Sequence, residues 1–395
     1  MNNETYIVSS VRTAVAKAGR GALRNVRPET MGAAAVNGAI GRVAGLQPER
    51  IGDVIMGCAF PEAQQGMVLG RVIAQKAGLP DTVPGVTINR FCASGLQSIA
   101  MAHQAVSAGQ AEVIVAGGAE SMSLVPMGGN NFMPDPDLTR EDPDLYIDMG
   151  NTAENLAESE NISREEQDAF ALRSHQRALA AAAEGRFNDE IVPLHVVDTV
   201  YDNGRTKSTE TAFRADEGPR ADTSEGALAR LRPVFRAGGT VTAGNASQVS
   251  DGAAATVVMS GRMAGELQVE PMARLAGYAV AGVAPEVMGI GPAEAVPMAL
   301  RQAGLTLADI GLIELNEAFA AQALAVIGRL GLDRDIVNVN GGAIALGHPL
   351  GCTGAKLTAT LLHEMARRNV RYGICTMCIG SGMGAAGIFE NLTIR

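Results

Sequence analysis

A chain of 395 residues is too long for one ordinary hydrophobic core, so two or three domains are expected. It is 47% hydrophobic and 19% charged, which is the soluble globular range. The net charge of −10 disfavours a broad nucleic-acid or anionic-membrane surface, but leaves room for a small anionic ligand held by a local group of arginines.

Glycine is abundant at 47 residues and Trp is absent, so backbones can approach one another and a ligand closely. Met1 to Val11 has no basic segment leading into an apolar run, and no signal peptide is read there. Residues 91–111 carry no charge, but Gly95, Gly109 and scattered Gln and Ser fit a buried helix better than a membrane span. The five cysteines (Cys58, Cys92, Cys352, Cys375 and Cys378) read as reduced thiols of a cytoplasmic protein, one or two of them catalytic.

In chain order, Val86–Asn89 reads as a strand, and Asn89-Arg-Phe-Cys92-Ala-Ser-Gly95 turns from it into a helix over 96–108. A helix start favours a thiolate, so Cys92 is a candidate nucleophile; its alternative reading is a small buried hydrophobe. A strand over Val113–Gly117 follows. Residues 122–248 open with Pro126, Pro134, Pro136 and Pro143, which read as loop. Ser163 to Glu166 is a capping box that starts a helix to about Glu184. Arg220, Arg230, Arg232 and Arg236 are either a solvated helix face or a phosphate site.

After a strand over Gly311–Leu315, Asn316 and Glu317 read as a helix cap and a first-turn acid. A strand is expected over Ile336–Asn340 and a helix over 355–366. Between them Pro349 bars His348 from helical geometry, so this histidine projects from a tight loop as a candidate general base. The strand Tyr372–Met377 runs into Cys375-Thr-Met-Cys378. As strand residues three apart, these cysteines face opposite sides. No second ligand pair has zinc spacing, so no metal is expected. Gly382 to Gly387 spells GxGxxG, but the acid a dinucleotide site needs about 20 residues on has no place before the last residue, Arg395. These glycines better bring backbone N–H groups to a reacting oxygen.

The chain also repeats itself. Gly45–Phe60 and Gly304–Phe319 share six of sixteen residues, an offset of 259 (304 minus 45), and Ser94-Gly95 meets Thr353-Gly354 in the same register. This implies two related α/β halves whose Cys92 and His348 loops approach a pseudo-twofold axis, with 122–248 inserted in the first half.

Together, NRFCASGLQSI (89–99), GNASQVSDGAAA (244–255), ELNEAF (314–319), NVNGGAIALGHPLGCTGA (338–355) and CIGSGMG (378–384) resemble the thiolase family over almost the whole chain. The resemblance implies an α/β fold of two similar halves in five layers, α-β-α-β-α, with an inserted loop domain. The halves are 1–121 with 249–271, and 272–395; the loop domain is 122–248. It further implies that Cys92 becomes acylated, that His348 activates it, and that Cys378 moves the proton at the acetyl-CoA α-carbon. Asn316 would hold a water of one oxyanion hole with His348, and the N–H groups of Cys92 and Gly380 would form the other. Coenzyme A, a co-substrate rather than a bound cofactor, would lie against Arg220, Leu231, Phe235, Ala243 and Ser247, with Met288, Ala318 and Phe319 lining the pantetheine tunnel.

Biosynthetic acetoacetyl-CoA thiolases carry His-Met-Gly where this chain has Asp148-Met149-Gly150. The expectation is therefore a 3-ketoacyl-CoA thiolase of fatty-acid β-oxidation, a homodimer or homotetramer, with a hydratase/dehydrogenase partner open. The alternatives are an acetoacetyl-CoA thiolase, a decarboxylating ketoacyl synthase, a non-catalytic acyl-CoA carrier, and a zinc or redox protein built on Cys375 and Cys378.

Overall fold

The computed structural model describes residues 4–202 and 205–394. The first half contributes β1 (Thr5–Thr13), α1 (Pro28–Ile40), β2 (Asp53–Gly57), α2 (Leu69–Lys76), β3 (Gly85–Ile88), α3 (Ser94–Ser107) and β4 (Val113–Ser121). The insertion holds α4 (Met149–Ser159), α5 (Arg164–Ala183) and an antiparallel hairpin of β5 (Leu194–Asp202) with β6 (Arg205–Phe213). Then come β7 (Ser250–Ser260), β8 (Ala273–Gly282), α6 (Gly291–Ala303), β9 (Leu312–Leu315), α7 (Ala320–Leu330), α8 (Leu350–Arg368), β10 (Tyr372–Ile379) and β11 (Met383–Asn391).

The strands run β9-β10-β11-β8-β1-β7-β4-β2-β3, and the two halves meet where Ile7 of β1 pairs with Ala273 of β8. Reading outward from that join, each half repeats one pattern: two antiparallel pairings, then a parallel one (β1-β7-β4-β2 and β8-β11-β10-β9).

Period-two alternation turns each strand toward two different layers. On β4, Val113 and Val115 join the core under α1 and α2, whereas Ile114 and Ala116 face the central layer. On β10, Cys375 and Met377 face the central layer and Ile374 faces the core under α6. The uncharged sequence of α3 follows from its place: with α8 it lies between the two half-sheets, and Leu96, Ile99, Ala100 and Val106 are fully buried there. The result is α1/α2, sheet, α3/α8, sheet, α6/α7.

The pseudo-twofold axis can be located at one contact. A Cβ on Gly95 would sit 2.6 Å from the backbone N of Ala355, and one on Gly354 would sit closer still to the backbone N of Leu96. Both pairs keep the 259-residue offset (354 minus 95, 355 minus 96), so α3 and α8 cross backbone to backbone at equivalent residues.

Two expectations are corrected. The strand at 336–340 is only a single bridge, Ile313 to Val337. Asn338 turns the chain away at φ +48, and its side-chain amide replaces a strand partner, bonding both N and O of Leu315 at 2.8 Å. The helix expected over 355–366 starts five residues earlier, at Leu350, directly after Pro349, whose fixed φ suits a helix start. The capping box of α5 is present as expected, with Ser163 and Glu166 bonded reciprocally.

Replacing Gly354 by Ala is expected to force α3 and α8 apart and to cost about 1–3 kcal/mol, as overpacking does. Ala at the exposed helical Gly328, where a Cβ meets nothing within 4 Å, should be neutral or stabilising. Thermal midpoints of the two variants check this; equal midpoints would contradict the crossing.

Candidate active site

Cys92 stands where β3 gives way to α3. The intervening turn, Phe91–Ala93, is strained, because Phe91 holds φ +42 without being glycine. Its surroundings enforce it. Asn89 accepts from Phe91 N at 2.8 Å and donates to Ala59 O at 2.9 Å. Ser94 Oγ accepts from Arg90 N at 2.8 Å and donates to Phe91 O at 2.7 Å. The thiol is thereby held, nearly buried, at the helix start. The expected fall in its pKa does not occur in the unliganded site. Burial pushes the thiol up to about 12, outweighing the backbone N–H groups of Cys92 and Gly380 that bond to its sulfur.

His348 follows Gly347, whose φ of +88 only glycine adopts readily. Its N–H donates to Gln248 O at 3.1 Å and to Ser250 Oγ at 3.2 Å, so the 244–255 segment fixes the loop. The Thr353 hydroxyl donates to Pro349 O at 3.0 Å, leaving its oxygen to accept from His348 Nδ1 at 2.6 Å. That bond assigns the proton to Nδ1 and the lone pair to Nε2. Asn316 Nδ2 stands 3.3 Å from Nε2, while Asn316 Oδ1 is buried without a protein partner. Burial, and then the charge of Lys356, push the ring down to about 3, so it is neutral at physiological pH.

Cys378 lies on the β10 face opposite Cys375, packed with Met288 and Ala318. Burial holds its thiol well above the ordinary value, and the charge of a Cys92 thiolate adds to that. Cys375 points instead toward Gly354 O at 3.8 Å. Among the described residues, no three His, Cys, Asp or Glu side chains are grouped to hold a metal ion, and all five cysteines are free.

Three cavities adjoin. The central one, about 140 Å³, is lined by Cys92, His348 and Cys378 together with Phe235, Ser247, Met288, Ala318 and Phe319. A second, about 260 Å³, shares Cys92, Asp148 and Met149 with it and adds Gly380, Phe60, Phe91, Phe132 and Tyr146. The third, about 290 Å³, touches the first at Gln248 and holds Lys17, His175, Arg220, Leu231 and Ala243. All eight residues expected to meet coenzyme A thus line the first or third cavity. Arg220 is bidentate on Asp222 at 3.2 and 3.1 Å, and its N–H donates to Nδ1 of the buried His175 at 3.2 Å. Arg230, Arg232 and Arg236 do not form a helix face, because the helix there ends at Ala229; Arg236 instead bonds Glu158 and Asn155.

Neither Asn316 nor Glu317 caps a helix, since α7 begins only at Ala320. Glu317 is buried and accepts from Ser174 Oγ (2.6 Å), Asn338 Nδ2 (2.9 Å) and Ile344 N (3.2 Å), tying α5 to the His348 loop. Sequence reasoning missed Glu120. It is fully buried and accepts from Ala59 N, Gly351 N and Gln65 Nε2, each at 2.7 Å, and so clamps both sides of the Cys92 pocket. The one available signal was a carboxylate ending the wholly apolar run Val113–Ala119.

The description "Thiolase, N-terminal domain" matches residues 5–262, and "Thiolase, C-terminal domain" matches residues 269–391. The chain belongs to the thiolase family. It is 54% identical over 388 residues to a 3-ketoacyl-CoA thiolase of Bacillus subtilis, covering 98% of this chain and 99% of that one. It is 46% identical over 390 residues to peroxisomal 3-ketoacyl-CoA thiolase A of Mus musculus, covering 98% and 91%. Among solved structures it resembles an acetyl-CoA acetyltransferase of Bacillus anthracis (TM-score 0.89, 44% identity, 99% of each chain). It also resembles human mitochondrial 3-ketoacyl-CoA thiolase (TM-score 0.87, 40% identity, 98% and 99% coverage). The thiolase fold accounts for the two similar halves and the insertion within the first of them.

A folded pKa below the ordinary histidine value of about 6.5 means that protonating His348 favours unfolding. The associated stability is therefore present above that value and declines as pH falls toward about 3. Acylation of Cys92 by acetyl-CoA should accordingly lack an acid limb at about pH 6.5. Stopped-flow acylation rates between about pH 5 and 8 check this; a midpoint near the ordinary value would show that the ring is not held neutral.

Proposed function

We propose that this thiolase cleaves 3-ketoacyl-CoA with CoA to a shortened acyl-CoA and acetyl-CoA, as in fatty-acid β-oxidation. The observation that carries the reading is the second cavity. It opens at Cys92, contains Phe60, Phe91, Phe132 and Tyr146, and has no Lys or Arg in its lining. It is suited to an apolar acyl chain, whereas an acetyl group alone would not need it. Asp148 supports the same branch: it caps α4 through Gly150 N at 2.8 Å in the position that holds histidine in biosynthetic relatives.

In the proposed course, His348 Nε2 takes the Cys92 proton and the thiolate attacks the C3 carbonyl. The tetrahedral alkoxide collapses, breaking the C2–C3 bond. Its electron pair moves to C2, and Cys378 protonates that carbon to release acetyl-CoA. The thiol of a second CoA then loses its proton to the Cys378 thiolate and attacks the acyl-cysteine. Cys92 leaves as thiolate, recovers its proton from His348, and both groups are restored. Two groups support oxyanion stabilisation: the N–H pair of Cys92 and Gly380, and Asn316 beside His348 Nε2. No permanent cofactor is needed. Coenzyme A would place its nucleotide end in the third cavity, near Lys17 and Arg220, and its pantetheine past Phe319 and Met288. Residues 122–248 would cover it as a domain inserted into the first half, 1–121 with 249–271, the second half being 272–395.

A homodimer or homotetramer belongs to the same reading. The open sheet edge at β3 supports it, as do Met67 and Val68, exposed in the turn into α2. So does a cytoplasmic, reducing setting, which five free thiols support; no helix among the described residues is long and apolar enough to cross a membrane. The shortened acyl-CoA would re-enter the same cycle, which makes its hydratase and dehydrogenase the natural partners.

Cys92→Ser should reduce thiolysis by on the order of 10³-fold or more. Mass spectrometry should find the acyl label on Cys92 of the wild type. Near-normal turnover of the variant would sink the mechanism. Cys378→Ala should stop exchange of the acetyl-CoA α-protons yet leave Cys92 open to acylation. Across 3-ketoacyl-CoA substrates from about four to sixteen carbons, kcat/KM should rise beyond the shortest as apolar contact is added. A sole preference for acetoacetyl-CoA would overturn the degradative reading.

A further inference from the structure

Helix α8 carries a buried polar stripe, Thr353, Lys356, Thr360 and Glu364, at helical spacing. Thr353 holds His348 Nδ1. Lys356 comes next and is 1% exposed. Its Nζ lies 3.5 Å from the carbonyl of Gly347, the residue that turns His348 into the site. Thr360 donates to Glu190 at 2.8 Å, and Glu364 accepts from Asn340 at 3.0 Å.

A fully buried lysine requires a reason, because taking an ammonium out of water is costly. Among the described residues, Lys356 has no carboxylate within ion-pair distance. The neighbouring carboxylates are mostly committed elsewhere. Arg12 of β1 takes Glu190 at 2.6 Å and Asp216 at 2.7 and 2.9 Å. Glu364 is held by Arg367 and Arg368, and Glu317 by Ser174 and Asn338. The remaining one is Glu314 of β9, fully buried, with neither carboxyl oxygen bonded to a protein atom. Cys352 on α8 and Cys375 on β10 complete the titratable groups around the ammonium.

We propose that Lys356 is a positioning residue for the catalytic base: its ammonium anchors the Gly347 carbonyl and so fixes the turn that carries His348 into the site. This rests on the reading of His348 as that base. The charges balance if Glu314 is the neutral member of the cluster. Arg12 and Lys356 then face Glu190 and Asp216, two cations against two anions. Burial raises Glu314 well above the carboxylate range, Lys356 only partly opposing that rise, and burial also lowers the Lys356 ammonium, which Asp216 and Glu314 oppose. Among protein charges, Lys356 is what pushes the His348 ring down beyond burial itself; the thiols of Cys92 and Cys378 are uncharged at rest.

The test measures Cys92 acylation by acetyl-CoA in Lys356→Met, Lys356→Arg and Glu314→Gln. Lys356→Met should lower the acylation rate by roughly tenfold with little change in KM through loss of the Gly347 anchor, and move the acid limb up by roughly one pH unit from its wild-type place at about 3. Lys356→Arg should restore most of both, and Glu314→Gln should leave both near wild type. If Lys356→Met does not fold, Lys356→Met with Glu314→Leu gives the same readout, because replacing neighbouring buried polar groups together by apolar ones leaves no partner unsatisfied. A wild-type rate and acid limb in whichever of these variants folds would overturn the proposal, as would loss of the acid-limb position in Glu314→Gln. His348→Asn separates the two ideas: if it acylates normally, the base assignment itself fails; if it is inactive while the Lys356 variants are normal, only the role of Lys356 fails.

Discussion

The crossing of α3 and α8 sets the geometry on which the rest depends. Two helices bring their backbones together only where neither carries a side chain at the contact, and Gly95 and Gly354 meet that condition reciprocally. Each helix starts at a loop that carries chemistry, Cys92 before α3 and His348 before α8. Fixing the crossing therefore fixes the distance between the proposed nucleophile and base. The half-sheets on either side hold the helices in place through an apolar central layer that includes Leu96, Ile99, Leu357 and Leu361.

Burial then governs the electrostatics of the site. The same desolvation raises the thiols of Cys92 and Cys378 and lowers the imidazole of His348, so every reacting group rests uncharged. In the proposed mechanism the thiolate is formed by handing the proton directly to a held imidazole rather than by standing ionisation. A dry site of this kind strengthens each fixed dipole in it, including the N–H groups of Cys92 and Gly380. Lys356 and Glu120 stand outside the reacting centre and bond the backbone of the loops around it.

The repeat, the two halves and the candidate nucleophile and base were all legible in the sequence, because each is written in local pattern. Apolar runs mark β4 and β10, a missing charge marks α3, and Pro349 ends the His348 loop. Legibility failed where a side chain replaced backbone pairing or a charge was buried. The strand expected at 336–340 dissolves because the Asn338 amide satisfies Leu315 in its place. Glu317 looked like an ordinary first-turn acid and instead knots α5 to the active-site loop.

The sequence by itself determined which residues can react and that two equivalent loops exist to carry them, since residue type and spacing are local properties of the chain. Only the tertiary structure decided how those residues behave. A helix start favours a thiolate at Cys92, yet enclosure between two sheets leaves a thiol, because desolvation in three dimensions outweighs a dipole along one helix. The tertiary structure also decided that Glu120, Thr353 and Lys356, distant from Cys92 or unremarkable in sequence, hold the site, because their partners come from segments that meet only when the two halves close on each other.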